Sequence, residues 1–235
     1  MPIKTLTFDL FGTILDLGSS LKPHIGDMLA AQDTAVTTEE FWDRQRARQR
    51  LEQFQDSLML QGHGGYLETV WRAYLHTLRS FGLDHVAQDG NQVDAFMAQW
   101  QGLRPFPDVL PALPILHRNF RLVVLSNGDP AFLEHLVTHQ VPWNFDDVIS
   151  VTSVGMFKPH PTVYQYAAHR LGTASRDLCM VSSNSFDVVG AVACGYAGAY
   201  VNRYGMPYEE TPFRPSLQTT DFSDLNDALQ ALSAQ

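Results

Sequence analysis

The chain is poor in cysteine, short of basic residues and without any long apolar run or repeated segment. Its two cysteines, Cys179 and Cys194, lie in the apolar stretches DLCMVSS and AVACGYAG at no metal-ligand spacing. They read as buried thiols without a chemical role. Sixteen lysines and arginines stand against twenty-five acids, a formal net charge of -9. That balance excludes general binding to nucleic acid or to an anionic membrane surface. No stretch approaches the ~18 apolar residues that a spanning helix needs, and no signal pattern opens the chain. The nine histidines suggest no metal site, and no cofactor motif is evident. The expectation is a soluble, cytoplasmic protein with no metal or cofactor, whose partners are small molecules or further copies of itself.

What is present alternates. KTLTFDLFG reads as a strand ending at Asp9, and RLVVLSNGD, DDVISVTS, LCMVSSNS and GAYVNR are similar short apolar runs closed by Ser, Asn, Asp or Gly. Between them PAFLEHLVTHQ, PTVYQYAAHRLG and FDVVGAVACGYAG have helical spacing. Strands alternating with helices predict βαβ units around a parallel sheet buried on both faces. Residues 16–102 differ: they are helix-rich, strand-poor and interposed after the first strand. They read as a helical cap inserted into an α/β core made of residues 1–15 and 103–235. LRPFPDVLPALP returns the chain to that core, and the tail DFSDLNDALQALSAQ reads as a capped surface helix.

Ligands of open parallel sheets bind beyond the carboxyl ends of the strands. Asp9 and Thr13 follow the first strand, Ser126 and Asn127 the RLVVL strand, Lys158 the DDVISV strand, and Ser182, Ser183, Asn184 and Asp187 the LCMV strand. One strand-end Ser or Asn is ordinarily a turn or helix cap. Four strand ends that together supply two carboxylates, an ammonium, hydroxyls and amides point instead to a nucleophilic carboxylate held ionised by a cation. Backbone N–H groups after Asp9, with Thr13 and Ser126, offer an anion cradle.

FDLFGT, LSNG, a Lys before Pro in FKPHP, and SSNSFD, in that order, resemble the haloacid dehalogenase superfamily along essentially the whole chain. The resemblance implies a Rossmann-like parallel sheet core with an inserted helical cap domain. Most members are phosphatases, with a second aspartate two residues after the nucleophile and an acidic, magnesium-holding fourth motif. Here those positions carry Phe11 and Ser183. A site without that acid suits a leaving group that needs no proton, and one carboxylate fewer suits a reaction that needs no metal. FDLFGTILD, LSNGDP, FKPHPTVY and VSSNSFDVVGA are similar to the motifs of the L-2-haloacid dehalogenase subgroup.

That resemblance implies that Asp9 displaces halide from the substrate, leaving an ester. Water activated by Asp187 and positioned by Ser182 and Asn184 would then attack the Asp9 carbonyl, yielding a D-2-hydroxy acid from an L-2-haloacid. Lys158 would keep Asp9 anionic, Thr13 would orient it and Tyr164 would support the cluster. The substrate carboxylate would sit on Ser126 and the amides of Leu10 and Phe11, the halide on Asn127 and a cap arginine, with Phe11 and Phe186 as drying walls. Of Arg44, Arg46, Arg48 and Arg50 in DRQRARQRLEQ, the family pattern favours Arg46, with Arg48 and Arg44 behind it. Ala47, Leu51, Phe54 and Leu58 form an apolar stripe at helical spacing on the same helix, which Arg44 and Arg50 border more closely than Arg46 does; if that stripe packs inside the cap, distance from it is no objection to Arg46. Such enzymes are often homodimers, which extends the expectation to this chain. The competing readings are a phosphatase of the same superfamily, a non-catalytic small-molecule-binding member, and an enzyme that alkylates Asp9 with another substrate.

Overall fold

The computed structural model of the chain describes residues 3–233. Six parallel strands, β1 (Thr5–Phe8), β4 (Arg121–Ser126), β5 (Asp147–Ser150), β6 (Leu178–Ser182), β7 (Ala197–Val201) and β8 (Leu217–Thr219), form one sheet in the order β5-β4-β1-β6-β7-β8. Two further short strands, β2 (Leu15–Asp16) and β3 (Arg104–Pro105), pair antiparallel as a separate ribbon. The alternation of side chains along each strand explains the unbroken apolar runs. Leu122, Val124, Cys179 and Val181 belong to one apolar cluster, while Val123, Leu125, Leu178 and Met180 belong to the other. The sheet is therefore buried on both faces. Helices α6 (Val109–His117), α7 (Pro130–His139), α8 (Pro161–Leu171), α9 (Ser185–Ala193) and α10 (Leu225–Ser233) complete this α/β layer.

Register sets the site. Phe8 pairs with Val124 on one side and with Val181 on the other, so β1, β4 and β6 stop at nearly the same level. Asp9 leaves the sheet between their carboxyl ends. Gly12, with φ of 83°, makes the turn that follows, a conformation that side chains with a Cβ rarely adopt.

Between β2 and β3 lie α1 (Leu17–Ala30), α2 (Thr38–Leu58), α3 (Tyr66–Ser80), α4 (Asp84–Gln88) and α5 (Gly90–Ala98), with no strand among them. Thr37 and Glu40 close a capping box at the start of α2. The rotation of α2 turns most of its apolar stripe outward, leaving only Phe54 half-buried, edge-on to Phe186. Leu51 and Leu58 are 44% and 84% exposed, and Ala47 also faces outward, whereas Gln45, Gln49, Glu52, Gln53 and Asp56 are buried. Polar partners account for Glu52, Gln53 and Asp56, whereas the buried Gln45 amide meets none among the described residues. Arg72 of α3 donates to Asp56 at 2.6 Å and lies 3.5 Å from Glu52, and Gln53 Nε2 donates to Thr69 Oγ1. Buried polar groups that find such partners lose little on leaving water.

The proline-rich return forms β3 and then α6, with Pro114 inside the helix. Cys179 is buried and its thiol is pushed up to about 12, whereas Cys194 is half-buried, so only the first is the fully buried thiol expected. The last two residues of the expected tail helix lie outside the described residues.

Candidate active site

Asp9 is 4% exposed at the end of β1. Its Oδ2 accepts from Thr13 Oγ1 and from Asn184 Nδ2, both at 2.8 Å. Its Oδ1 accepts from Lys158 Nζ at 2.8 Å. Lys158, brought by the loop before α8, is fully buried, and its ammonium also donates to Asp187 Oδ2 at 2.7 Å and to the Leu125 carbonyl at 2.9 Å. Burial works against this charge, but the fields of Asp187 and Asp9 outweigh it and hold the lysine above its ordinary value. Asp187, in the first turn of α9, has no exposed surface. Its Oδ1 accepts from Tyr164 at 2.7 Å. Burial pushes its carboxyl up, Lys158 acts in the opposite direction, and Asp9 adds to the rise. Burial likewise holds the Tyr164 phenol well above its usual range.

The strand-end residues thus converge, but with different exposures. Asp9, Phe11, Lys158, Asn127, Asn184 and Phe186 border a small cavity of about 30 Å³. Ser126 and Ser182 are fully buried and do not line it; their hydroxyls accept from the amides of Gly128 and Asn184 and so brace the two turns. Asp187 is also off the cavity wall, behind Lys158. Ser183 donates its amide to Thr13 Oγ1, while its hydroxyl has no partner. The amides of Leu10 and Phe11 meet no protein acceptor among the described residues, which leaves them free for an anion. Phe11 stacks on Tyr66 at 4.1 Å and on Phe132 at 5.7 Å, an apolar wall where an acid would otherwise stand.

The second wall comes from the helical insert. Arg46, Gln49, Arg50 and Gln53 of α2 and Tyr66 of α3 face the cavity. Arg46 donates to Gln49 Oε1 and its guanidinium lies 5.7 Å from the Trp42 ring. Arg44 instead lies over Phe81 and bonds Ser80, and Arg48 pairs with Glu52, so neither of these alternatives reaches the site. Arg50 does reach it. It stands at the cavity mouth over the Phe186 ring at 5.1 Å, still reachable by water, yet crowded enough that burial, followed by the neighbouring Arg46, lowers its pKa. Gln53 Oε1 accepts from Asn127 Nδ2 at 3.2 Å, and Asn127 Oδ1 accepts from the Lys158 amide at 2.8 Å, which joins the two walls. Gln49, Gln53 and Tyr66 were missed by the sequence reading. Four-residue spacing from Arg46 would have found Arg50, and through it the polar inward face.

His63 closes the loop before α3, accepting or donating at 2.8 Å with the Asn127 carbonyl, its ring 4.0 Å from Phe157. Among the described residues no group of three or more His, Cys, Asp or Glu side chains could hold a metal, and the space between Asp9 and Asp187 is filled by the Lys158 ammonium. No described helix is long and apolar enough to cross a membrane.

A parallel sheet that presents an aspartate, a bridging lysine and a free pair of amides beneath a helical insert defines a class of α/β hydrolases in which one carboxylate meets the substrate. The profile of haloacid dehalogenase-like hydrolases matches residues 3–195, and the chain belongs to that family. It is 31% identical over 234 residues to (S)-2-haloacid dehalogenase 1 of Pseudomonas sp. (strain CBS-3), covering 98% of this chain and 97% of that relative. Haloacetate dehalogenase H-2 of Moraxella sp. (strain B) is 31% identical over 227 residues, 94% of this chain and 93% of its own. Among solved structures, L-2-haloacid dehalogenase from Xanthobacter autotrophicus with chloropropionic acid covalently bound superposes with a TM-score of 0.82 at 26% identity, covering 97% of this chain and 98% of that one.

Proposed function

We infer that the chain is a hydrolytic dehalogenase that converts L-2-haloacids to D-2-hydroxy acids through an ester on Asp9. The observation that carries this reading is a carboxylate held by Thr13, Asn184 and Lys158, facing a cavity with an arginine and no acid at position 11. Asp9 attacks the carbon that bears the halogen as the halide leaves with its electron pair. Arg46 and Asn127 receive the halide, and the amides of Leu10 and Phe11 receive the substrate carboxylate. Ser126 shapes that cradle from behind.

Forming the ester removes the negative charge of Asp9, so Lys158 keeps Asp187 as its ionic partner and turns toward the ester carbonyl. Water then attacks the Asp9 carbonyl carbon, and its proton passes to Asp187, whose raised basicity suits it to that task. Tyr164 holds Asp187, and Ser182 holds the Asn184 turn. The reacting carbon of the substrate is inverted once. Phe11 and Phe186 exclude water from the first step. Ser183 stands where phosphatases of the superfamily carry a magnesium-holding carboxylate, which supports a reaction without a divalent ion.

Residues 1–15 and 103–235 are the catalytic core and 16–102 the cap, a division supported by the β2–β3 ribbon at the crossing point. Two copies associate as a homodimer, which the outward apolar residues Leu51, Leu58, Met59 and Leu60 support. Two free thiols suit a cytoplasmic home.

Halide release from each enantiomer of 2-chloropropionate, measured with EDTA present, tests the activity. The expected result is release from the L form alone. Phosphate release from p-nitrophenyl phosphate with magnesium, and no halide, would replace this reading by a phosphatase.

A further inference from the structure

The cap wall carries one more cation than the reaction needs. Lys158 is matched by Asp9 and Asp187. The substrate carboxylate belongs to the strand-end amides and the halide to Arg46. Arg50 is left over: among the described residues no carboxylate lies within ion-pair distance of it, and Glu209, whose field does reach it, accepts from Ser185 at 2.8 Å. Arg46 and Arg50 project from one face of α2, one helical turn or roughly 6 Å apart. Arg50 is the outer of the two, beside the cavity mouth.

The wall next to it is polar as well. Gln49 turns its Oε1 to Arg46, and its buried Nε2 has no hydrogen-bond partner, with the Tyr66 hydroxyl beside it. An alkyl substituent would leave the buried Gln49 amide no acceptor beyond the neighbouring Tyr66 hydroxyl, and would leave the exposed Arg50 guanidinium only water. A carboxylate would satisfy both.

We propose that Arg50 is a specificity-determining residue that receives a second carboxylate, so that the preferred substrate is an L-2-halodicarboxylate. The inference rests on the dehalogenase reading and adds to it the class of the substituent on the reacting carbon. With L-2-chlorosuccinate, Asp9 forms its C–O bond as the C–Cl bond breaks and chloride leaves with the electron pair. Water then cleaves the ester, releasing 2-hydroxysuccinate and a proton, and Asp9 returns as a carboxylate. Throughout, the distal carboxylate lies between Arg50 and Gln49 Nε2.

The test is steady-state chloride release from L-2-chlorosuccinate and L-2-chloropropionate by the native chain and by Arg50→Leu and Arg50→Lys, with circular dichroism to confirm folding. The native chain is expected to favour chlorosuccinate in kcat/KM. Arg50→Leu lowers the chlorosuccinate-to-chloropropionate ratio by roughly a hundredfold, chiefly through KM, and Arg50→Lys recovers part of it. Turnover of chloropropionate without chlorosuccinate would overturn the substrate assignment while leaving the dehalogenase reading intact. An equal loss on both substrates would move Arg50 to the halide or to the carboxylate they share. Silence on both with the native chain would remove the dehalogenase reading and this inference with it.

Discussion

Lys158 concentrates the electrostatics of the molecule at one residue, because its ammonium is the link between two buried carboxylates on different loops. Replacing it by Met would leave Asp9 and Asp187 facing each other unmatched, at a cost of about 3–5 kcal/mol to folding, and would abolish halide release. Its pKa is raised in the folded state. The stability it contributes is therefore complete below the ordinary lysine value of 10.5 and is lost as pH rises through the higher folded value. Urea denaturation of the native chain and of Lys158→Met across the alkaline range should show the gap between them closing only above that ordinary value. A gap that closed near neutrality would contradict the pairing. At this scale the sequence was informative. Asp9, Thr13, Lys158, Asn184 and Asp187 each follow a strand whose apolar run and turn punctuation are local signals, and the sheet register then aligns those strand ends. Tyr164 came from the family resemblance alone, and lies one turn into the helix that follows Lys158.

At the scale of elements, α9 approaches the loop of Lys158 and helix α8 without a side chain between them. A Cβ on Gly190 would lie 2.7 Å from Pro159 Cβ and 2.8 Å from the Tyr164 ring and hydroxyl. Gly190→Ala should cost about 1–3 kcal/mol and, by pushing Tyr164 off Asp187, lower kcat more than it raises KM. Thermal melting and steady-state kinetics check the two parts. Helix α2 shows what its own sequence could not disclose. An apolar stripe predicts an inward face only when the neighbouring surface is apolar. Here α3 offers Arg72 and Thr69, and the site itself is polar, so the glutamines and acids turn in and the leucines turn out. Neither neighbour is encoded within α2. The short strand β8 escaped notice for a related reason, since its three residues LQT carry no pattern apart from their pairing with β7.

For the whole molecule, the outward leucines set the expected state of assembly. Leu58 and Leu60 are 84% and 74% exposed, with Met59 between them at 58%. Light scattering after size exclusion should give a particle of twice the 26.3 kDa chain mass, and Leu58→Glu should halve it. A native chain that runs as a monomer would assign that patch no partner of its own kind.

The inside-out character of α2 also bears on how such a protein can change. A face held by hydrogen bonds and water-reachable guanidinium groups is not interlocked by shape, so a residue there can be exchanged without repacking a hydrophobic interior. On the proposed reading, bond breaking rests on the strand ends with Arg46 and Asn127, while the substituent on the reacting carbon meets Arg50 and Gln49 of α2. New preferences can therefore be acquired at positions 49 and 50 of α2 by single substitutions, while Arg46 and the strand-end residues stay unaltered.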